Sequence, residues 1–140
     1  MHKIFITALL LASSLMANGI HWEKDYETAM EKATKTHKPV MFVISRHTCK
    51  YCVILEKNTF SDTRVIQALN KDFVSVISYT DEGDYIPAGM YRGSTPSTWF
   101  LLSNGEPMYS AVVGAIGPDS FLGGLKTVKN RFDTIKNSGK

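Results

Sequence analysis

The chain has 140 residues, 44% hydrophobic and 21% charged, with a formal net charge of +3. That length implies one domain, and that composition supplies a core and excludes a disordered chain. The basic residues are scattered and not gathered into a stripe with interleaved aromatics, which argues against a nucleic-acid binder.

The first residues read as an export signal. His2 and Lys3 precede an apolar run from Ile4 to Leu11 that continues to Met16, and small residues follow at Ala17 and Gly19. A short basic region, an apolar stretch and a small-residue cut site are the parts of a secretory leader. The run is shorter than the ~20 apolar residues that span a bilayer. The leader is assigned to residues 1–17, with a cut after Ala17 or after Gly19. A domain over residues 20–136 and a polar tail over 137–140 then follow. The processed chain is expected to be soluble, outside the cytoplasm and without stable membrane insertion.

Trp22 to Thr36 carries apolar residues at helical steps (Trp22, Tyr26, Ala29, Met30, Ala33) with Glu and Lys between them. His37-Lys38-Pro39 ends this helix, because the residue before a proline avoids helical backbone. Val40 to Ser45 is a short apolar run suited to a buried strand. After the polar turn Arg46-His47-Thr48, a second helix runs from Cys49 to about Asn58. Ser61 reads as the N-cap of a third, whose inner face is Val65, Ile66 and Leu69.

Phe73 to Tyr79 alternates apolar and polar residues like a strand. Thr80 to Ser94, with four Gly or Pro residues, is a loop. Thr98 to Leu102 and Met108 to Val113 flank Asn104-Gly105, a strong hairpin signal. Pro118 opens a last helix at its tolerated first position, with Phe121, Leu122, Leu125, Val128 and Phe132 on the buried side. The polar stretch after Ile135 is expected to fray. Strands alternating with helices imply a partly parallel sheet, and the hairpin adds an antiparallel pair. The reading is an α/β fold: a mixed central sheet of about four strands with helices on both faces.

The two cysteines stand in Cys49-Lys50-Tyr51-Cys52. They could be a structural staple, metal ligands, a redox pair or inert thiols. A staple across so short a loop constrains little chain. A metal site takes about four ligands, and His21, His37 and His47 lack the paired spacing to complete one; neither metal nor cofactor is expected. A Cys-x-x-Cys after a buried strand favours the redox pair. At a helix start, the first sulfur lies over unpaired N–H groups and the positive end of the helix dipole, which stabilise a thiolate. The Cys49 pKa should therefore fall below the free value of about 8.5, and Cys52, one turn in, would be the resolving thiol. Lys50 could add positive charge or be a solvated lysine. His47 could assist the thiolate, relay a proton or simply be solvated.

Val40-Met-Phe-Val-Ile-Ser, Cys49-Lys-Tyr-Cys52, Ser94-Thr95-Pro96-Ser-Thr-Trp-Phe-Leu, Asn104-Gly105-Glu106 and Val113-Gly114 together resemble the thioredoxin superfamily in order and spacing. Within it, Cys49 to Asp62 (Cys-Lys-Tyr-Cys-Val-Ile-Leu-Glu-Lys-Asn-Thr-Phe-Ser-Asp) is similar to the C-terminal periplasmic thioredoxin-like domain of the thiol reductase DsbD. The resemblance covers roughly residues 22–135 and implies a thioredoxin fold. It implies that Pro96 is a cis-proline facing the cysteines, that the backbone of Thr95 pairs with an extended substrate, and that Glu56 is an acid that could accept a proton from the resolving thiol. Three positions depart from the pattern. Val43 stands where the family has a buried Asp, Thr48 where many relatives have Trp, and Lys50-Tyr51 replaces the Gly-Pro dipeptide that helps set redox potential.

The implied activity is that of an exported, periplasmic thiol–disulfide oxidoreductase acting as a reductase. Its partners would be cysteine-containing exported proteins, with a membrane thiol carrier as electron source. The alternatives are a disulfide oxidant or isomerase, or a non-catalytic module that holds peptides on the Thr95-Pro96 face.

Overall fold

A computed structural model of the chain describes residues 18–139. The leader expected over residues 1–17 lies outside them, as does Lys140. The elements run α1 (Tyr26–Thr36), β1 (Val40–Ser45), α2 (Lys50–Ile54), a π-helical turn (Leu55–Thr59), α3 (Thr63–Asp72), β2 (Val74–Tyr79), β3 (Ser97–Leu101), β4 (Val112–Val113) and α4 (Pro118–Ser138). The strands lie in the order β2-β1-β3-β4. β1 and β2 are parallel, with Val40 opposite Val74. β3 runs antiparallel to β1, with Phe42 opposite Trp99, and β4 antiparallel to β3. Parallel neighbours need a crossover; α2, the π turn and α3 supply it.

β1 is buried on both faces along its whole length, so its side-chain alternation sorts the core into two layers. Met41 and Val43 meet Leu55, Phe60, Val65, Leu69, Phe73, Phe100, Phe121, Leu125 and Val128 under α2, α3 and α4. Val40, Phe42 and Ile44 meet Ala29, Ala33, Val74, Val76, Met90, Trp99 and Leu101 under α1 and the loop that carries Met90. The α/β reading with helices on both faces of a four-stranded mixed sheet, the thioredoxin fold, holds.

Several boundaries differ from the sequence reading. Trp22 is not helical. Asp25 caps α1 by accepting the Thr28 N–H at 2.8 Å. The residues before it run beside β2, where Trp22 bridges Ser75, Glu23 N–H donates to the Ser75 carbonyl at 2.8 Å, and the indole meets Phe60 edge-on. Asp62, not Ser61, caps α3 by accepting from the N–H groups of Arg64 and Val65; the Ser61 hydroxyl turns back to the Lys57 carbonyl. The polar positions of β2 do not mark a wet face, because Ser75 and Ser78 are buried between covering layers.

The returning strand is much shorter than Met108 to Val113. The turn itself forms: Leu102 N–H donates to the Glu106 carbonyl at 2.8 Å, with Gly105 at φ +91°. The register then shifts by two residues between the Leu101–Pro107 bridge and the Thr98–Val112 pair. The Met108 N–H still donates to the Phe100 carbonyl at 2.9 Å, so the two extra residues fall between Met108 and Val112, as they do where one strand of a pair bulges. α4 continues to Ser138, past the fraying expected after Ile135.

The Phe42 ring is fully buried between α1 and the sheet, edge-on to Tyr26 at 5.2 Å. Phe42→Ala is expected to lower the free energy of unfolding by about 3–5 kcal/mol, read as a fall in the urea midpoint at an unchanged denaturant slope.

Candidate active site

β1 ends at Ser45 and the chain turns through Arg46, His47 and Thr48, closed by the Cys49 N–H donating to the Arg46 carbonyl at 3.2 Å. This turn delivers Cys49 as the N-cap of α2, with extended backbone at φ −85°, ψ 119°. Its sulfur does the work that a Ser or Asp oxygen does at other helix starts. It accepts the Cys52 N–H at 3.2 Å. The Cys49 thiol in turn donates to the Thr95 carbonyl at 3.4 Å. Cys49 is partly exposed, and Cys52, one turn into the helix, is fully buried. Both are free thiols in this structure.

The two thiols are shifted in opposite directions. Burial pushes Cys49 up, but hydrogen bonds from the Cys52 thiol, the Thr95 side chain and the N–H groups of Cys52 and Tyr51 outweigh it and hold Cys49 below the ordinary cysteine value. Burial and the hydrogen bond that Cys52 gives to Cys49 push Cys52 up, and the Ser45 and Thr95 side chains and the Arg46 N–H only partly offset that rise. One thiol is thus prepared as a nucleophile and the other held in reserve.

The loop over residues 80–94 carries the other half of the site. The indole N–H of Trp99 donates to the Met90 carbonyl at 3.2 Å, and the Ser97 hydroxyl donates to the Ser94 carbonyl at 2.7 Å. These bonds fix the chain where it enters β3. The Thr95–Pro96 peptide bond is cis. Pro96 is buried, and its carbonyl accepts the Gly114 N–H at 2.9 Å. Among the described residues, the Thr95 N–H has no partner, and its carbonyl meets only the Cys49 thiol. Thr95, beside the cis Pro96, is thus brought to Cys49 at the head of α2, with Cys52 one turn further in.

The supporting residues are arranged differently. The Lys50 ammonium sits 6.0 Å from the centre of the Tyr51 ring, while the groups that lower Cys49 are hydrogen-bond donors. Tyr51 is 58% exposed between the cysteines. Glu56 is engaged by Tyr79, whose hydroxyl donates to its carboxylate at 2.5 Å; among the described residues neither cysteine hydrogen-bonds to it. Burial, followed by the Glu56 carboxylate, pushes Tyr79 well above the ordinary tyrosine value.

His47 neither faces the thiolate nor stands free. Its ring stacks on Tyr79 at 3.9 Å, its Nδ1 lies 3.2 Å from Asp81, and its Nε2 lies 3.5 Å from Glu82. Burial raises Asp81, but the His47 N–H, the Asp81 N–H and the His47 ring together hold it below the usual carboxylate range. The Tyr79 platform was not foreseen from the sequence, and only its place at the end of β2, beside the end of β1, points to it. Ser45 was also passed over as part of an apolar strand. It is 1% exposed, and its hydroxyl has no hydrogen-bond partner.

A lowered Cys49 means that its thiolate persists at a lower pH than that of a free cysteine. Iodoacetamide is expected to alkylate Cys49 along a pH curve with its midpoint below about 8.5, and unfolding in urea should return the midpoint to that value. Cys52, raised and buried, should stay unmodified across the same range.

Comparison with known proteins agrees with this geometry. The family model Thioredox_DsbH, described as a protein of unknown function (DUF255), matches residues 8–137. Human spermatogenesis-associated protein 20 is 32% identical over 98 residues, which cover 64% of this chain and 12% of that protein. An uncharacterized Caenorhabditis elegans protein is 25% identical over 127 residues, covering 84% of this chain and 17% of its own length. The chain thus spans less than a fifth of the length of these two relatives.

Among solved structures, a Thermus thermophilus thioredoxin superposes with a TM-score of 0.65 at 24% identity, covering 79% of this chain and 87% of its own. A DsbH oxidoreductase superposes at 0.62 with 14% identity, covering 93% and 95%. The oxidised C-terminal domain of Neisseria meningitidis DsbD superposes at 0.52 with 20% identity, covering 72% and 90%. These structures share the fold, the resemblance to DsbD among them. With its family model matched over nearly the whole length and its paired cysteines at the head of α2, the chain belongs to the Thioredox_DsbH family of thioredoxin-fold proteins.

Proposed function

We propose that this chain is an exported thiol–disulfide oxidoreductase that reduces protein disulfides. The observation that carries the reading is the asymmetry of the pair: a partly exposed Cys49 sulfur, lowered by hydrogen bonds, beside a buried and raised Cys52. The Cys49 thiolate attacks one sulfur of a substrate disulfide. A mixed disulfide forms and the other substrate sulfur leaves as a thiol. Cys52 then attacks the Cys49 sulfur, closing the Cys49–Cys52 disulfide and freeing the second substrate thiol.

The unpaired N–H of Thr95 supports a place for an extended substrate segment, which would add main-chain hydrogen bonds in the manner of a strand. Its carbonyl becomes available as Cys49 gives up the proton it donates there. Tyr51, exposed between the cysteines, offers an aromatic contact to the same segment. The basic-apolar-small pattern of the first residues supports export. Among the described residues no helix is long and apolar enough to cross a membrane. Electrons would return from a thiol carrier in the membrane, and the substrates would be exported proteins with cysteines.

Two measurements test this reading. Cys52→Ala is expected to accumulate mixed disulfides through Cys49 in an extracytoplasmic extract, reversible by dithiothreitol. Equilibration with glutathione buffers is expected to place the couple nearer the ~−270 mV of reductants than the ~−120 mV of strong oxidants. A value near the oxidising end would reverse the assigned direction, and an extract that yields no trapped species would remove the exchange activity itself.

A further inference from the structure

We propose that Ser45 is a positioning residue for the second cysteine, its hydroxyl donating the hydrogen bond that stabilises the Cys52 thiolate while the mixed disulfide is resolved. This rests on the exchange chemistry proposed above and adds a residue to it.

The placement follows from strand and helix geometry. Alternate side chains of a strand share a face, so Ser45 lies on the same side of β1 as Met41 and Val43. That side packs against Leu55. Cys52 precedes Leu55 by three residues and shares its helical face. Ser45 and Cys52 are 1% and 0% exposed, so neither is served by bulk water. Met41 and Val43 are apolar, which leaves Ser45 as the hydroxyl of that strand face. It has no hydrogen-bond partner in the dithiol state, whereas a buried polar side chain is ordinarily satisfied. The partner that completes it appears when Cys52 ionises.

The surroundings of Cys52 leave this role open. Burial raises the Cys52 thiol, and Ser45 heads the groups that act against the rise, ahead of the Thr95 side chain and the Arg46 N–H. Cys49 is the titratable group that acts on Cys52. The Arg46 guanidinium is turned to the Thr48 hydroxyl at 3.1 Å, and the Glu56 carboxylate is taken by Tyr79.

In the resolving step the proton that Cys52 gives up is balanced by the one taken up at the departing substrate sulfur. Its sulfur bonds to that of Cys49, the Cys49–substrate sulfur bond breaks, and the departing substrate thiolate takes up a proton. Ser45 keeps its own proton throughout. It stabilises charge and exchanges no electrons.

Ser45→Ala removes a hydroxyl that bonds to nothing in the dithiol state, so folding is expected to be retained. The reduced protein is mixed with an aromatic disulfide that releases a coloured thiolate: one equivalent on attack by Cys49 and a second on resolution by Cys52. In Ser45→Ala the first phase should keep its wild-type rate. The second should slow by about tenfold, the worth of a hydrogen bond to a charged group, with its pH midpoint about one unit higher. A second phase with wild-type rate and midpoint would overturn the proposal. If wild-type protein releases no second equivalent, the exchange reading fails on its own. Ser45 is then judged by carbon-13 titration of the Cys52 β-carbon: a midpoint raised by Ser45→Ala supports the contact and an unmoved one refutes it.

Discussion

The Cys52 N–H reaches back 3.2 Å to the sulfur of Cys49, and much of the molecule is arranged around that bond. A helix start leaves N–H groups without partners, and here a thiol sulfur satisfies one of them. The same bond that caps α2 also favours negative charge on Cys49. Structure and reactivity therefore share one contact. The partner thiol, carried a turn further in and sealed from water, is held protonated by that burial and by its hydrogen bond to Cys49. A difference of three residues along α2 separates a prepared nucleophile from its delayed successor.

That contact is held by a rigid floor and a tethered wall. β1, with apolar side chains in both core layers, fixes where the Arg46–Thr48 turn begins. Trp99 and Ser97 bind the incoming loop by its carbonyls, so Thr95 arrives beside the sulfur with its own backbone largely unspent. Groups that bind and react commonly lie on loops set by a scaffold. In this chain the scaffold is a strand pair, β1 and β3, whose ends lie side by side.

Where the sequence carried a strong local signal, the structure follows it. The apolar run of β1, the Asn104-Gly105 turn, Pro118 at the start of α4 and the spacing of the cysteines each leave one economical arrangement. Elsewhere tertiary packing decided. Trp22 fits a helical stripe, yet its backbone bonds alongside β2 and Asp25 offers the better cap. Ser61 and Asp62 are both competent caps, and only the path of the chain selects between them. Ser75 and Ser78 look like a solvent face because alternation cannot reveal that a sheet is covered on both sides. The tie of Glu56 to Tyr79 joins residues 23 apart, and no local rule connects them.

The π turn from Leu55 to Thr59 has a mechanical consequence. The Phe60 N–H closes on the Leu55 carbonyl at 3.0 Å, five residues back where an α-helix would use four. The extra residue decouples the angular phase of the two ends of this helical run. The leading end presents Cys52 to the sheet, while the trailing end is free to turn Thr59 onto the Ile116 carbonyl at 2.5 Å and anchor the approach to α4. A regular helix over the same residues would set Thr59 at a different angle to the sheet once Cys52 was placed. The widened turn thus lets one continuous helical run serve two surfaces, the sheet at Cys52 and the approach to α4 at Thr59.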